Sequence, residues 1–193
     1  VFHFTWPLEK PLPSQVIKKA LNVCLPRDIQ VVEVEQVPED FHARYDALAK
    51  KYVYKIKSPS FNEPFTRNFL YHHPYELNVE KLSEAVKKFE GTHDFTGFSS
   101  VKSDKENKVR TIYQATVEKD EHTDVYTFTF IGDGFLYNMV RMMIGTLIKI
   151  GDGRKDIHYI DEIFDVENTG IKATTAAPYG LYLEEVYYEK TLF

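Results

Sequence analysis

Hydrophobic and polar positions alternate over residues 50–57, where Tyr52, Tyr54 and Ile56 share one side of an extended chain. This predicts a strand. Alternation recurs over residues 110–119 and 125–131, and in the second run Tyr126, Phe128 and Phe130 share a face. With an acidic, polar connection between them, the two runs predict a hairpin. Residues 29–37 are rich in β-branched side chains and predict another strand, as do residues 1–4, 69–72 and 180–189. After Asn78 the period changes to helical: Val79, Leu82, Ala85, Val86 and Phe89 form one face, and Gly91 stands where a C-terminal cap belongs. An earlier helix, with Ser14 as its expected cap, carries Val16, Ile17, Ala20 and Leu21. A strongly apolar helix is expected over residues 136–150 and a short amphipathic one over 157–164. Residues 58–68 and 101–109 predict loops. Helices and antiparallel hairpins are mixed, so the fold class is α+β.

Composition narrows this picture by exclusion. A length of 193 residues fits one large domain or two small ones, and 43% hydrophobic with 27% charged residues excludes wholesale disorder. The only cysteine is Cys24, which leaves no internal disulfide and no cysteine-based zinc site. No run of about 18 apolar residues exists, because Arg141 and Lys149 interrupt the most apolar stretch, so no membrane-spanning helix is expected. Nothing at the start reads as a signal peptide, and a reducing cytoplasm is the default compartment. The chain opens at Val1 rather than Met, inside what reads as a strand, so a missing N-terminal part is expected.

The net charge of −5 argues against a globally basic nucleic-acid coat, but the local balance differs. Arg44, Lys50, Lys51, Lys55 and Lys57 face a single acid, Asp46, over residues 41–60. Interleaved with Tyr52 and Tyr54, these bases can offer RNA both phosphate partners and stacking faces. They can equally be the lysines of a solvated edge strand that discourages aggregation. His72 and His73 are adjacent, point to opposite faces of a strand and make a poor metal pair. No glycine-rich phosphate loop, nucleophile elbow or zinc-protease motif occurs. Arg141 is the most informative residue, for it interrupts an otherwise apolar helix. Either it is buried and needs an anionic partner, or its long side chain reaches the surface.

Several segments occur together in a recognisable order. Phe41-His42-Ala43-Arg44 is followed by Lys50-Lys51-Tyr52-Val53-Tyr54, Asp94-Phe95-Thr96-Gly97-Phe98 and Arg110-Thr111-Ile112. Then come Phe135 through Gly145, with Met-Val-Arg at the centre, and Ala176-Ala177-Pro178-Tyr179-Gly180-Leu181-Tyr182-Leu183. In order and spacing this set resembles the tRNA pseudouridine synthase A family over nearly the whole chain.

The resemblance implies the pseudouridine synthase fold, a mostly antiparallel mixed sheet flanked by helices. Residues 1–40 would be the remnant of an N-terminal half, and residues 41–193 the C-terminal half of the catalytic domain. It implies isomerisation of uridine to pseudouridine in the anticodon stem-loop of tRNA, by a homodimer, with no metal and no organic cofactor. Tyr52 would stack on the freed uracil and take the C5 proton, and Arg141 would hold a catalytic aspartate. Leu181 would line the apolar wall beside the base. His42, Arg44, Lys50, Lys51 and Arg110 would contact the RNA. The family's aspartate belongs to an Arg-Thr-Asp motif lying before the segment that matches residues 1–4, and that motif does not occur here. The 193-residue chain is therefore expected to lack its nucleophile and to be inactive. The alternative is a non-catalytic RNA-binding module built on the basic strand.

Overall fold

The computed structural model describes residues 1–7, 9, 11–100 and 106–189. The chain divides into two compact units, Val1–Ala47 and Leu48–Phe193.

In the first unit the only regular element among the described residues is α1, Ser14–Cys24. Its N-cap is Pro13 rather than Ser14, and no side chain caps it. The Pro13 carbonyl instead accepts from the Val16 and Ile17 amides, at 2.8 and 3.2 Å. The two strands expected here do not form. Residues 1–4 have no regular structure. In the 29–37 run, the Asn22 side chain takes the place of a neighbouring strand. Its Oδ1 accepts from the Val31 amide at 2.8 Å and its Nδ2 donates to the Val31 carbonyl at 3.0 Å. With that backbone pair satisfied by one amide, β-branched composition alone does not make a sheet.

The second unit is built around β1, Ala49–Lys57. On one side it pairs antiparallel with β5, Val125–Gly132, from Lys50↔Gly132 to Lys57↔Val125. On the other it pairs antiparallel with β6, Leu181–Tyr187, and beyond that, in parallel, with the two-residue β2, Tyr71–His72. The expected hairpin is β5 with β4, Val109–Asp120, and β3, Gly91–Asp94, completes the far edge. The result is a six-stranded mixed sheet in the order β2-β1-β5-β4-β3, with β6 beside β1. The expected α+β class is thereby met.

Helix α2, Val79–Lys87, starts where the period changes, with Asn78 Oδ1 accepting from the Lys81 amide at 2.7 Å. Its stop differs from the expected glycine cap: the helix ends at Lys87, and Gly91 opens β3 at φ 102°. Leu82, Ala85 and Val86 are its buried face. Helix α3, Met139–Gly151, is buried nearly all round, and α4, Tyr159–Phe164, and the single turn α5, Val166–Thr169, follow. The main core joins α2, α3 and α4 to Tyr54, Ile56, Phe128 and Phe130 on one face of the sheet. Phe89 is its hub, with ring centroids 5.2 Å from Phe98, 6.1 Å from Phe164 and 6.4 Å from Phe130. The loop expected over residues 101–109 falls partly outside the described residues.

Candidate active site

The period-2 pattern puts Tyr52 on the same face of β1 as the fully buried Tyr54 and Ile56. Tyr52 itself is half-buried against the margin of the core. Its cross-strand neighbours are Phe130 on β5 and Leu183 on β6. The ring of Phe135 meets it edge-on, 4.9 Å between centroids at 73°. Partial burial raises the Tyr52 phenol above its ordinary value, so it is a neutral hydroxyl at physiological pH.

Phe135 belongs to the turn that leads into α3. The helix begins three residues later than the apolar pattern indicates, because Asn138 adopts a left-handed conformation at φ 63° and ψ 5°. Arg141 stands in the first turn that follows. It is half-buried, and backbone and amide oxygens hold it. Its Nε donates to the Ala176 carbonyl at 2.8 Å and its Nη1 to Asn138 Oδ1 at 3.1 Å. The Arg141 carbonyl in turn accepts from the Ala176 amide at 2.9 Å. Arg141 is thus neither fully buried nor ion-paired among the described residues, and neutral oxygens hold its guanidinium. No carboxylate lies within ion-pair distance of it among the described residues.

The segment 174–177 ties this region together. Gly145 of α3 lets it lie close, since a Cβ there would fall 2.1 Å from the Thr174 carbonyl oxygen. One residue beyond Ala176, the Ala177 carbonyl accepts from the Tyr54 hydroxyl at 2.6 Å. Burial, first, and the nearby Tyr71 push the Tyr54 phenol well above its ordinary value, and Arg141 opposes that shift. Arg141 and the Tyr52–Tyr54 face therefore border one region, in which Tyr52 lies two residues along β1, about 6.6 Å, from Tyr54.

Leu181 pairs with Tyr54 and packs against the core, whereas Leu183, opposite Tyr52, is 50% exposed. Leu183, Phe135 and Asn138 were not singled out from sequence. The strand period could have exposed Leu183, because residues 181 and 183 must share a face. Nothing in the sequence marked Asn138 as a partner of Arg141.

The candidate RNA contacts divide between the two units. Lys50 and Lys51 are both half-buried on β1 but alternate in direction, so only Lys50 shares the Tyr52 face. Arg110 on β4 spends Nη1 on the carbonyls of Asn107 and Val109. In the first unit, His42 is a local turn-former: its Nδ1 accepts from the Arg44 and Tyr45 amides, each at 3.2 Å. Its ring centre lies 4.5 Å from that of His3 and 4.2 Å from that of Tyr45. Arg44 is exposed, with its guanidinium carbon 6.0 Å from the Tyr45 ring centre. His72 bonds Ser60 and Thr66, and among the described residues no group of side chains could hold a metal ion.

Comparison with known proteins decides the family. The profile of the family described as tRNA pseudouridine synthase matches residues 85–189. The chain belongs to the tRNA pseudouridine synthase family. Three relatives of that name, tRNA pseudouridine synthase A, illustrate the match. The protein of Geobacillus sp. (strain WCH70) is 45% identical over 172 residues, 89% of this chain and 68% of its own. That of Latilactobacillus sakei is 41% identical over 189 residues, 98% of this chain and 75% of its own. That of Streptococcus mutans is 44% identical over 189 residues with the same coverage, 98% and 75%. The synthase family assignment thus rests on both the profile and near-complete coverage of this chain, and it agrees with the resemblance read from the ordered motifs. Among the described residues no helix is long and apolar enough to cross a membrane.

Proposed function

We propose that this chain supplies the tyrosine–arginine side of an active site that isomerises uridine to pseudouridine in tRNA. The observation that carries the reading is Arg141: two oxygens orient it at the margin of the Tyr52 face, and it has no carboxylate among the described residues. A guanidinium fixed in this way suits a carboxylate, with which it makes strong charge-assisted hydrogen bonds. That carboxylate would be the catalytic aspartate of the family, kept ionised by the cation.

The reaction conserves atoms. The N1–C1′ bond of uridine breaks and N1 keeps the electron pair, while the carboxylate either attacks C1′ or starts elimination by taking a sugar proton. The uracil, flipped from its stack, turns and forms a C5–C1′ bond. The carboxylate leaves or returns its proton, C5 loses its proton and N1 gains one. Tyr52 is suited to stack on the turning ring, with Phe135 and Leu183 as neighbours and Leu181 beyond. Because its phenol is neutral at physiological pH, its role at C5 is a relay: the oxygen accepts the C5 proton as it passes its own to the site.

The anticodon stem-loop as substrate and the cytoplasm as compartment follow the family resemblance. Lys50 is the best-placed RNA contact on the Tyr52 face, with Arg44 and His42 in the first unit, and Lys51 and Arg110 as outer contacts. In this reading the 193-residue polypeptide alone is inactive, since no carboxylate among the described residues meets Arg141. A homodimer is supported by the segment from residue 58 to 75. There Phe61, Phe65, Phe69 and Tyr75 are 82%, 94%, 60% and 66% exposed. The segment is braced by Lys57–Glu63 at 2.6 Å and by the Tyr182 hydroxyl on the Phe69 carbonyl at 2.6 Å. Aromatics held outward in this way suit an apolar interface.

The test is tritium release from tRNA labelled at uridine C5, with the full-length gene product. Y52F is expected to lower kcat by about a hundredfold or more while tRNA affinity stays within about twofold. Normal turnover by Y52F removes Tyr52 from the mechanism. Activity in the 193-residue polypeptide alone overturns its proposed inactivity.

A further inference from the structure

We propose that Asn138 is a positioning residue, which fixes the Arg141 guanidinium so that only its Nη1–Nη2 end is offered to the reacting carboxylate. The inference rests on the reading of Arg141 given above.

Asn138 stands at the N-cap of α3, where an asparagine side chain ordinarily accepts from the amides of the first turn. Here it makes no such cap bond. Its Oδ1 accepts from Arg141 Nη1 at 3.1 Å instead. The residue also holds a left-handed backbone, φ 63°, a conformation unfavourable by about 1–2 kcal/mol for most side chains and easiest for glycine, asparagine and aspartate. The helix thus forgoes a favourable cap and accepts strain at one residue, and the gain falls on Arg141.

The geometry of the guanidinium shows what that gain is. Arginine has five N–H donors in one plane. The Nε donor is taken by the Ala176 carbonyl at 2.8 Å, so a carboxylate cannot approach side-on through Nε and Nη2. One Nη1 donor is taken by Asn138. One Nη2 donor lies alongside Nε on the Ala176 side, and the other Nη2 donor with the remaining Nη1 donor makes the end-on edge, where a carboxylate can be held by two parallel bonds. The Ala176 bond alone would leave the plane free to swing about it. The Asn138 bond, from the other side of the fork, stops that motion. Since Asn138 and Ala176 are 38 positions apart in the chain, the clamp forms only when segment 174–177 is seated on α3.

The test uses three variants of the full-length gene product, with tritium release as the assay. N138G keeps the left-handed backbone and removes the oxygen. It is expected to lower kcat by between about tenfold and a hundredfold, with KM for tRNA within twofold and an unchanged or higher Tm. N138D places a rival carboxylate on Arg141. It is expected to lose more than N138G at neutral pH and to regain activity relative to wild type as the pH falls and that carboxylate is protonated. R141A tests the underlying reading. If R141A is inactive and N138G keeps wild-type kcat, or if the N138D deficit is the same at every pH, the positioning role is overturned. If R141A keeps its activity, the reading of Arg141 itself falls.

Discussion

Replacing Gly145 by alanine tests how the site is assembled. A Cβ there would lie 2.1 Å from the Thr174 carbonyl oxygen, 3.0 Å from its carbon and 3.3 Å from the Ala176 amide nitrogen. These atoms are backbone and cannot swing aside. A carbon–oxygen contact needs about 3.3 Å, so segment 174–177 must retreat by about 1.2 Å. The retreat breaks the Ala176–Arg141 backbone bond of 2.9 Å and the Arg141 Nε–Ala176 bond of 2.8 Å, and it stretches the 2.6 Å bond of Tyr54 to Ala177. A neutral bond contributes about 1 kcal/mol net and a charge-assisted one about 1.5–3 kcal/mol. Alanine in the helix returns about 1 kcal/mol. The expected net loss is about 3 kcal/mol. In urea denaturation that moves the midpoint down by about 1–2 M at the slopes typical of chains this size. In the tritium-release assay, Arg141 displaced by about 1 Å should lower kcat about a hundredfold. A midpoint within about 0.3 M of wild type refutes the steric argument. A destabilised G145A protein with wild-type kcat refutes the claim that this segment sets Arg141.

Two further outcomes are expected. F61S combined with F65S should convert a dimer of the full-length gene product into monomers in sedimentation analysis, with Tm changed little because both side chains are exposed; an unchanged dimer places the interface elsewhere. Stability should fall on mild acidification through His73, whose buried Nε2 lies 3.3 Å from Asp152 Oδ2 but out of line for a good hydrogen bond. Burial, partly offset by Asp152, holds its pKa below the ordinary 6.5, so the folded state resists a proton that the unfolded chain accepts. The stability is full above about pH 6.5 and declines below it, toward the lowered folded value. Asp152 is raised by burial but lowered further by the Arg154 hydrogen bonds, so its contribution is lost only at more acidic pH, below its ordinary 3.8. H73Q should flatten the urea-midpoint difference between pH 7.5 and 5.5, and an equal slope in both proteins refutes the assignment.

Much of the second unit was legible because its strands alternate cleanly. Tyr52-Tyr54-Ile56 and Tyr126-Phe128-Phe130 announce their buried face, and in the structure those rows lie together on one side of the sheet. The failures share a physical cause. Where a side chain takes over a backbone partner, local composition misleads. Asn22 satisfies Val31 and replaces a sheet neighbour. Pro13 supplies only its carbonyl, and Ser14 falls inside α1 instead of capping it. Asn138 turns away from its cap and delays α3 by three residues relative to the apolar pattern.

The candidate site divides along the same line. Tyr52 and Arg141 could be named from their motifs, but what holds them depends on distant partners. The Ala176 carbonyl lies 35 positions beyond Arg141, and Leu183 meets Tyr52 at the last pair before β6 takes in an extra residue. Pairing runs from Tyr54↔Leu181 and Tyr52↔Leu183 to Lys51↔Glu185, which leaves Glu184 as the bulge. Up to Leu183 the strand keeps its alternation with β1. Beyond the bulge its side chains change face relative to the residue numbers, and Glu185 aligns with Lys51 on the side away from Tyr52. The bulge therefore separates an apolar stretch, Leu181 and Leu183, from an acidic one. It takes Glu185 off the face that carries Tyr52. A regular strand would bring Glu184 in line with Lys51 and Glu185 in line with Lys50, on the Tyr52 side, and would place an acid beside the one half-buried lysine that shares this face.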